Sequence, residues 1–406
     1  MTADRITTID TVRGFAVLGI LLMNIASLGL PSDAYVNPAL AGGSTGADLW
    51  VWVGNWLLVD GRMRALFTLL FGASLLLVAE RAGDAGLGTT WRRLFWLFVI
   101  GMIHAWLIWY GDILVTYALA GVIAFLLRNR SVRFQAGAGC VILLALMLYG
   151  FSGWWWFGQQ AAVLASPAAS ADALAGAREQ LAAITVSPDD VAREIAGYRG
   201  GFAAVFETRA PTTLWFQTYL LPTFTLWEAV ALMLIGMALF RRGFFSGAWS
   251  AASYGRLFWL LPLGVAATAP TAWWLVRTGW DPVVQLAADA LRLPVQVGMA
   301  FGYVALVVRL VQTGTLPGLM ARLAACGRTA LSNYLGASIL TTTLFYGYGF
   351  GRFAHYGRAE LLLVVAAVWA LQLWLSPLWL RHFRHGPAEW LWRSLTRMQR
   401  VPMRNG

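Results

Sequence analysis

Residues 5–30, RITTIDTVRGFAVLGILLMNIASLGL, form the stretch that decides the fold. A charged beginning leads directly into an apolar run that is long enough to cross a bilayer, which takes roughly 20 residues. Two polar side chains interrupt this run, Arg13 near its start and Asn24 deep within it. At 3.6 residues per helical turn they share one helix face and lie about 16 Å apart.

A polar face on a lipid-embedded helix indicates contact with protein, water or a ligand. A second interpretation needs no ligand: Arg13 extends its charge to the interface, and Asn24 joins two helices by a hydrogen bond. The residues of the first span leave both interpretations open.

The composition is that of a polytopic membrane protein. Of the 406 residues, 59% are hydrophobic, 12% are charged and 22 are tryptophan, a balance that soluble domains of this size do not have. The thirty basic residues are all arginine, a usage typical of a GC-rich bacterial genome. They concentrate in short loops between apolar runs, which is the positive-inside pattern. The net charge of +11 therefore indicates membrane topology, and we expect membrane lipids rather than nucleic acid as partners.

Apolar runs separated by these loops predict an all-α, polytopic helical bundle with about ten transmembrane helices. The predicted spans are 5–30, 61–80, 91–110, 112–127, a fifth ending near 150, 212–240, 257–276, 282–311, 329–350 and 360–380. An even number of spans and the loop arginines place both termini on the cytoplasmic side of a bacterial inner membrane. The apolar helices are compatible with a homodimer, but they select no interface.

The whole chain, 1–406, is predicted to be a single membrane domain with two less apolar regions. Residues 152–211 form an Ala-rich, extracytoplasmic and partly helical insertion, in which Pro188-Asp189-Asp190 predicts the start of a helix over 191–207. Residues 381–406 form a basic cytoplasmic tail.

His104 is the only histidine inside a predicted span, and Asp112 follows eight residues later at a helical-hairpin turn. A histidine can exchange a proton near neutral pH, and a carboxylate beside it can orient it. The alternative is a neutral His104 bonded to a neighbouring helix and an Asp112 that only caps the next helix. Because there is one such histidine, and Cys140 and Cys326 show no zinc spacing, we expect neither metal nor haem.

Further charged residues fall at or inside predicted spans. Glu228 lies well inside the sixth span, where a carboxylate is paired or protonated, unless that span begins later and leaves it at the interface. Asp60, Arg62 and Arg64 open the second span and predict either an anion pocket or an ordinary interfacial ion pair.

Six blocks of the sequence, taken together and in order, resemble the YeiB-like family, which is catalogued as a domain of unknown function. The blocks extend from residue 5 to about 397 and read IDTVRGFAVLGILLMNI, GRMRALFTLLFGAS, RRLFWLFVIGMIHAWLIWYGDILVTYALAG, MLIGMALFRRGFF, GRTALSNYLGASILTTTLFYGYGFG and GPAEWLWRSLTR. More distantly, this family resembles the transmembrane acyltransferase superfamily, which includes acyltransferase-three proteins and the lysosomal heparan glucosaminide acetyltransferase.

The resemblance implies transfer of an acyl group from a cytoplasmic acyl-CoA to an acceptor, often a sugar, on the far side of the membrane. Acyltransferase-three proteins carry an arginine and, after ten further residues, a catalytic histidine. Arg13 fits the arginine, but Asn24 stands where the histidine would be, as it similarly does in the glucosaminide acetyltransferase branch. A histidine base must then come from elsewhere, and we infer His104.

The leading hypothesis is therefore an integral-membrane acyltransferase that moves an acyl group, in the first instance acetyl, to a cell-envelope glycan or lipid. Arg13, with Asp10 and Arg64, would bind the acyl-CoA, because planar charged guanidinium groups suit phosphates. Asn24 would orient the thioester or stabilise an oxyanion. His104, oriented by Asp112, would deprotonate the acceptor, and Glu228 is a second candidate base.

Two other classes of function remain open from the sequence. A transporter for a small molecule would use the same protonatable groups as a proton or substrate path. A structural subunit would need none of them, and substitution of His104 or Arg13 would leave function and ligand binding unchanged.

Overall fold

The computed structural model describes residues 3–82 and 86–405. The side chains of residues 3–6 and 81–86 lie outside this description. They include Arg5, a charged residue at the start of the first predicted span. Within the described ranges the chain forms helices and one isolated bridge, between Phe383 and Arg404. The predicted all-α fold is confirmed.

The helices follow one another along the described ranges with short connections. They are α1 (Ala3–Gly29), α2 (Gly46–Leu58), α3 (Arg62–Ala82), α4 (Gly86–Leu107), α5 (Leu114–Leu126), α6 (Val132–Ala165), α7 (Ala171–Ala182), α8 (Pro188–Tyr198), α9 (Phe202–Trp215), α10 (Leu226–Arg241), α11 (Ala251–Phe258), α12 (Leu260–Arg277), α13 (Pro282–Gln312), α14 (Pro317–Arg328), α15 (Ala330–Phe345), α16 (Arg358–His382) and α17 (Pro387–Arg397). A π-helix, Phe216–Thr225, joins α9 to α10, and 3-10 turns cover Ser32–Tyr35 and Phe244–Ser246.

Seven helical segments of the described chain are long and apolar enough to cross a membrane. They are Thr7–Gly29, Gly46–Glu80, Val132–Ala165, Phe202–Arg241, Ala251–Arg277, Pro282–Gln312 and Arg358–His382. The other three predicted spans coincide with shorter or less apolar helices: α4, which carries Arg92 and Arg93, the 13-residue α5 and the 16-residue α15. The molecule is thus a helical membrane bundle. Three of the ten predicted spans are not both long and apolar enough to count as membrane-crossing helices.

Helix α1 is the centre of the bundle and α6 is at its edge. In α1, 78% of the most apolar stretch is buried, against 17% in α6. Two glycines allow α1 to pack closely on α14, because a Cβ on Gly14 would lie 1.9 Å from the Leu323 carbonyl oxygen and one on Gly327 would lie 1.8 Å from that of Asp10. Small residues commonly permit such close contact between membrane helices.

Region 152–211 differs from its predicted boundaries at both ends. Helix α6 continues to Ala165, and α9 already begins at Phe202. The connection between α6 and α9 is therefore shorter than the predicted insertion, and it contains α7 and α8. Helix α8 begins at Pro188 as predicted, with Ser187 forming a capping box. The prediction that this helix continues to residue 207 is wrong, because the chain leaves α8 after Tyr198 and the pair Gly200-Gly201 precedes α9.

The basic tail is helical and packed. Helix α17 contacts α4 and α15, and the Glu389 carboxylate accepts hydrogen bonds from the backbone N–H groups of Leu331 (2.6 Å) and Ser332 (3.1 Å). These donors lie in the first turn of α15, where a negative charge is stabilising. The tail therefore fixes the arginine-rich end of the bundle.

Candidate functional site

His104 and Asp112 form a buried pair between α4 and α5. Nδ1 of His104 lies 2.7 Å from one Asp112 carboxylate oxygen, and the two side chains are 1% and 2% exposed. The other Asp112 oxygen accepts a hydrogen bond from the Val115 N–H (2.8 Å) in the first turn of α5. Asp112 thus caps the helix and orients the histidine together, so the two roles considered for it are compatible.

The second imidazole nitrogen of His104, Nε2, is buried and has no hydrogen-bond partner among the described residues. Two rings flank the imidazole, Tyr334 with its centroid at 5.1 Å and Trp109 at 6.3 Å. A histidine whose Nδ1 is held by a carboxylate and whose Nε2 is free has the arrangement of a general base.

The same two rings line a small cavity beside the histidine. Asn24 of α1 contributes to it, so the structure brings Asn24 and the rings around His104 to one place. The other lining residues are Val17, Ile20, Leu21, Leu28, Asn333, Ala337 and Ser338. Its volume is about 10 Å³, which is enough for about one water molecule.

Arg209 of α9 holds the end of α4, close to His104. Its guanidinium is fully buried and donates to the backbone carbonyls of Trp106 (2.6 Å) and Ile108 (2.8 Å). These carbonyls follow the last helical turn of α4 and have no partner within the helix. Arg209 therefore joins the long α9–α10 segment to the turn that carries the histidine.

Arg13 and Asp10 lie together at the other end of α1. The Arg13 guanidinium contacts Asp10 at 2.7 Å and donates to Ser74 Oγ at 3.0 Å. Asp10 thus pairs with Arg13, as expected of residues three apart on one helix. Arg64, ten residues before Ser74 on α3, lies about 15 Å along that helix and is not brought to this group.

The surroundings of Arg13 are strongly basic. Arg93 is close enough to Arg13, Arg393 and Arg397 for electrostatic repulsion, and Arg393 is likewise close to Arg13 and Arg397. Nearby, burial and then the arginines of the tail lower the pKa of His385 to about 4. This end of the bundle therefore carries a concentration of positive charge.

Glu228 is enclosed by the bundle and is only 2% exposed, so its carboxylate is buried against other helices. Its carboxylate contacts Arg64 Nη2 at 3.2 Å and accepts from Gln296 Nε2 at 2.8 Å. It therefore pairs with Arg64 and not with His104 or Asp112.

A second charged group surrounds Asp60. Arg292 donates to its carboxylate at 2.5 Å and to Asp289 at 2.8 Å, and the Tyr35 hydroxyl also donates to Asp60. The Arg292 guanidinium lies over the Trp56 ring, 3.6 Å from its centroid. Asp60 thus pairs with an arginine from a distant helix, not with its sequence neighbours.

Arg62 is fully buried and donates to the carbonyls of Trp56 and Asp60, both at 2.7 Å. Because its guanidinium donates to these backbone carbonyls, Arg62 does not form the anion pocket considered for residues 60–64. Sequence reasoning missed Asp289 and Arg292, although two charges three residues apart inside the predicted eighth span are themselves a signal of a buried polar group.

No group of three or more His, Cys, Asp or Glu side chains that could hold a metal ion occurs in the described ranges. Both cysteines are free thiols, Cys140 exposed and Cys326 buried.

The fold and the site define an integral-membrane helical bundle with a buried carboxylate–histidine pair beside a small cavity that Asn24 helps to line. The chain is 34% identical over 412 residues to the "Uncharacterized protein YeiB" of Escherichia coli (strain K12), covering 97% of this chain and 96% of the relative. It therefore belongs to the YeiB family.

Other comparisons agree with this membership. The "Uncharacterized protein YxaH" of Bacillus subtilis (strain 168) is 29% identical over 420 residues, which cover 99% of this chain and 97% of that protein. The family model described as "Protein of unknown function (DUF418)" matches residues 239–399. No solved structure matches the chain.

Proposed function

We propose that this protein is an integral-membrane acyltransferase that moves an acyl group, in the first instance acetyl, from acyl-CoA to a hydroxyl or amine of a cell-envelope glycan or lipid. One observation carries the proposal: the buried Asp112–His104 pair, whose Nε2 is free among the described residues, beside a cavity that contains the Asn24 amide. The relatives carry no stated activity, so the proposal rests on this chemistry and on the resemblance of the sequence.

The reaction is a transfer between a thioester and a nucleophile. The acceptor gives its proton to His104 Nε2 while its oxygen or nitrogen forms a bond to the thioester carbon. The carbonyl electron pair moves to the oxygen, and the Asn24 amide donates a hydrogen bond to it. When that pair returns, the carbon–sulfur bond breaks and the thiolate of CoA takes the proton from the imidazolium. Asp112 is a positioning residue that holds the Nδ1–H tautomer.

The reacting groups need more room than this small cavity provides. Because it holds about one water molecule, the thioester reaches His104 only after the Trp109 or Tyr334 ring turns away. Opening coupled to binding is common where a reaction must exclude water.

The phosphates of the acyl-CoA would bind at the basic end around Arg13, Arg93 and Arg393. This assignment places that end in the cytoplasm of a bacterial inner membrane, with both termini on the same side. Asn24, eleven residues along α1 from Arg13, is about 16 Å farther into the bundle, a distance that the pantetheine arm must span.

The test is to add acetyl-CoA to the purified protein in nanodiscs and to follow thermal stabilisation and release of free CoA. We expect His104→Gln to keep the stabilisation and to lower CoA release by about 10²-fold or more, as loss of a general base does. Asp112→Asn should also lower release while sparing stabilisation. Arg13→Gln should lose the stabilisation itself.

His355→Gln is the matched control, since His355 is an exposed histidine outside the described spans and should change neither readout. The acyltransferase would be rejected if acetyl-CoA and longer acyl-CoAs neither stabilised the protein nor released CoA.

The second candidate function, a transporter or permease, is favoured by a different observation. Two buried acids, Asp60 and Glu228, form ion pairs inside the bundle with Arg292 and Arg64. Such groups serve proton or substrate paths in transporters. Counterflow of an intact substrate in proteoliposomes, without consumption of acyl-CoA, would support this function instead.

A further inference from the structure

An open apolar groove runs along one face of the bundle, between α6, α10 and α13. Its volume is about 810 Å³, within the range of sites that hold small ligands. It is lined by Val132, Ala136, Cys140, Leu143, Leu144, Met147, Ile235, Ala238, Leu239, Arg242, Trp249, Pro294, Val297, Gly298 and Phe301. None of these residues belongs to the site around His104.

Arg242 is the one charged residue among those lining the groove, and its guanidinium makes no hydrogen bond or ion pair with any described residue. The adjacent Arg241 differs: it donates to the carbonyls of Arg128 and Arg130 and fixes the turn between α5 and α6. Of two consecutive arginines, one therefore serves the fold and the other stays free at the groove. Trp249 lies beside it, a residue suited to the level of lipid headgroups.

The charge around this end of the groove is positive and uncompensated. The sequence contains no Asp or Glu in 113–171, 229–280 or 290–359, which covers α6, most of α10 and the half of α13 that follows Pro294. Arg128, Arg130 and Arg133 precede or begin α6. An anionic group that reaches Arg242 therefore meets attraction from several arginines and no carboxylate from these three stretches.

We propose that this groove binds a phospholipid with a net anionic headgroup, from the leaflet at the arginine-rich end of the bundle. The acyl chain lies along the apolar wall formed by Leu143, Leu144 and Phe301, and the phosphate lies at Arg242. This inference is independent of the proposed acyltransferase, since it uses other residues.

A second copy of the chain fits this groove less well. A symmetric contact would bring the same cluster, Arg128, Arg130, Arg133 and Arg242, towards its equivalent without an acidic partner, and like charges repel. A lipid supplies both the missing negative charge and a flexible apolar chain.

The test is native mass spectrometry of the full chain, released from micelles that contain equal amounts of phosphatidylglycerol and phosphatidylcholine. We expect the wild type to carry phosphatidylglycerol about fivefold in excess, the ratio that about 1 kcal/mol per arginine provides. Arg242→Gln should bring the two lipids near parity. Arg256→Gln, an exposed arginine outside the groove lining, should keep the preference.

The groove itself is tested by filling it. A Cβ on Gly298 would meet nothing within 4 Å, so Gly298→Leu starts a side chain in open space at the groove and should remove the bound lipid. Gly137→Leu is the matched control, because Gly137 is exposed on α6, has the same free space and does not line the groove. Added phosphatidylglycerol should also slow maleimide labelling of Cys140 in the wild type and not in Gly298→Leu.

Three results would overturn the proposal. They are equal binding of both lipids by the wild type, retention of phosphatidylglycerol by Gly298→Leu, and a dimer that carries no lipid and dissociates in Gly298→Leu.

Discussion

Arg292 shows how a single residue satisfies a charge inside this bundle. Its guanidinium contacts two carboxylates and an aromatic face, and the side chains of Arg292 and Asp60 are each 10% exposed. A buried ion pair costs desolvation, so its net contribution is modest, but removing one partner leaves an uncompensated charge. Loss of one partner is therefore expected to lower the free energy of unfolding more than loss of both would suggest.

We expect Asp60→Asn or Arg292→Met alone to destabilise the protein by about 3–5 kcal/mol. The double variant should lose less than the sum, with a coupling energy of about 0.5–3 kcal/mol. Thermal unfolding in detergent measures all three. Arg193→Met, which breaks the exposed pair Asp190–Arg193 and leaves Asp190 in the capping box of α8, is the control and should leave the Tm unchanged. Strictly additive losses at Asp60 and Arg292 would contradict direct coupling.

The residue scale also shows where prediction from sequence stops. His104 and Asp112 could be paired in advance because eight residues and a tight turn separate them. The group around Asp60 could not be assembled, since Tyr35, Asp60 and Arg292 come from segments far apart in sequence. Only the packing of helices brings such groups together, and the sequence pattern does not predict which helices pack against each other.

At the scale of elements, α8 is held on the end of α1 by one carboxylate. Glu194 accepts hydrogen bonds from the Ser32 N–H (3.0 Å) and hydroxyl (3.2 Å). Burial, with a smaller contribution from Asp33, raises the pKa of Glu194 from 4.5 to about 7. Because the folded state holds this proton more tightly, the stabilisation is complete below about pH 4.5 and is lost as the pH rises through about 7.

We therefore expect Ser32–Tyr35 and α8 to be better protected at pH 5.5 than at pH 8. Hydrogen exchange measures this after correction for the intrinsic pH dependence of exchange. Glu194→Gln should remove the difference between the two pH values, whereas Glu179→Gln on the exposed face of α7 should retain it. Equal protection of the wild type at both values would refute the role of Glu194.

The bounds of several elements followed directly from sequence, and others did not. Helix α13 was predicted as 282–311 and ends at Gln312, since Pro282 and the loop glycine Gly314 mark its ends. Helix α6 passes its predicted end because Trp154–Trp156, residues that suit a membrane interface as well as a helix, continue it to Ala165. Amphipathic aromatic residues suit either place, so composition alone could not set that boundary.

At the scale of the whole molecule, the arginines and the long helices together predict an orientation. Helix α6 starts at the arginine-rich end and finishes beside α7, so Ala168 lies at the opposite end of the bundle from the tail. The positive-inside rule places the arginine-rich end in the cytoplasm.

We expect a membrane-impermeant maleimide to label Ala168→Cys in intact cells, and Gln399→Cys only after permeabilisation, in a chain whose native cysteines are replaced by serine. Both positions are exposed, so access rather than burial decides the result. The reverse pattern would show that the bundle is inverted, and labelling of both in intact cells would show that the termini are not cytoplasmic.

The contact between Arg209 and the end of α4 has a consequence for inhibition. Arg209 sits near the start of the 40-residue segment Phe202–Arg241, next to the polar region that contains α7 and α8, and its guanidinium holds the carbonyls two and four residues after His104. A ligand that displaces α9 is therefore expected to move the turn that carries the imidazole without entering the cavity beside His104. An inhibitor of the proposed function can act at the contact between α9 and α4 instead of at that cavity.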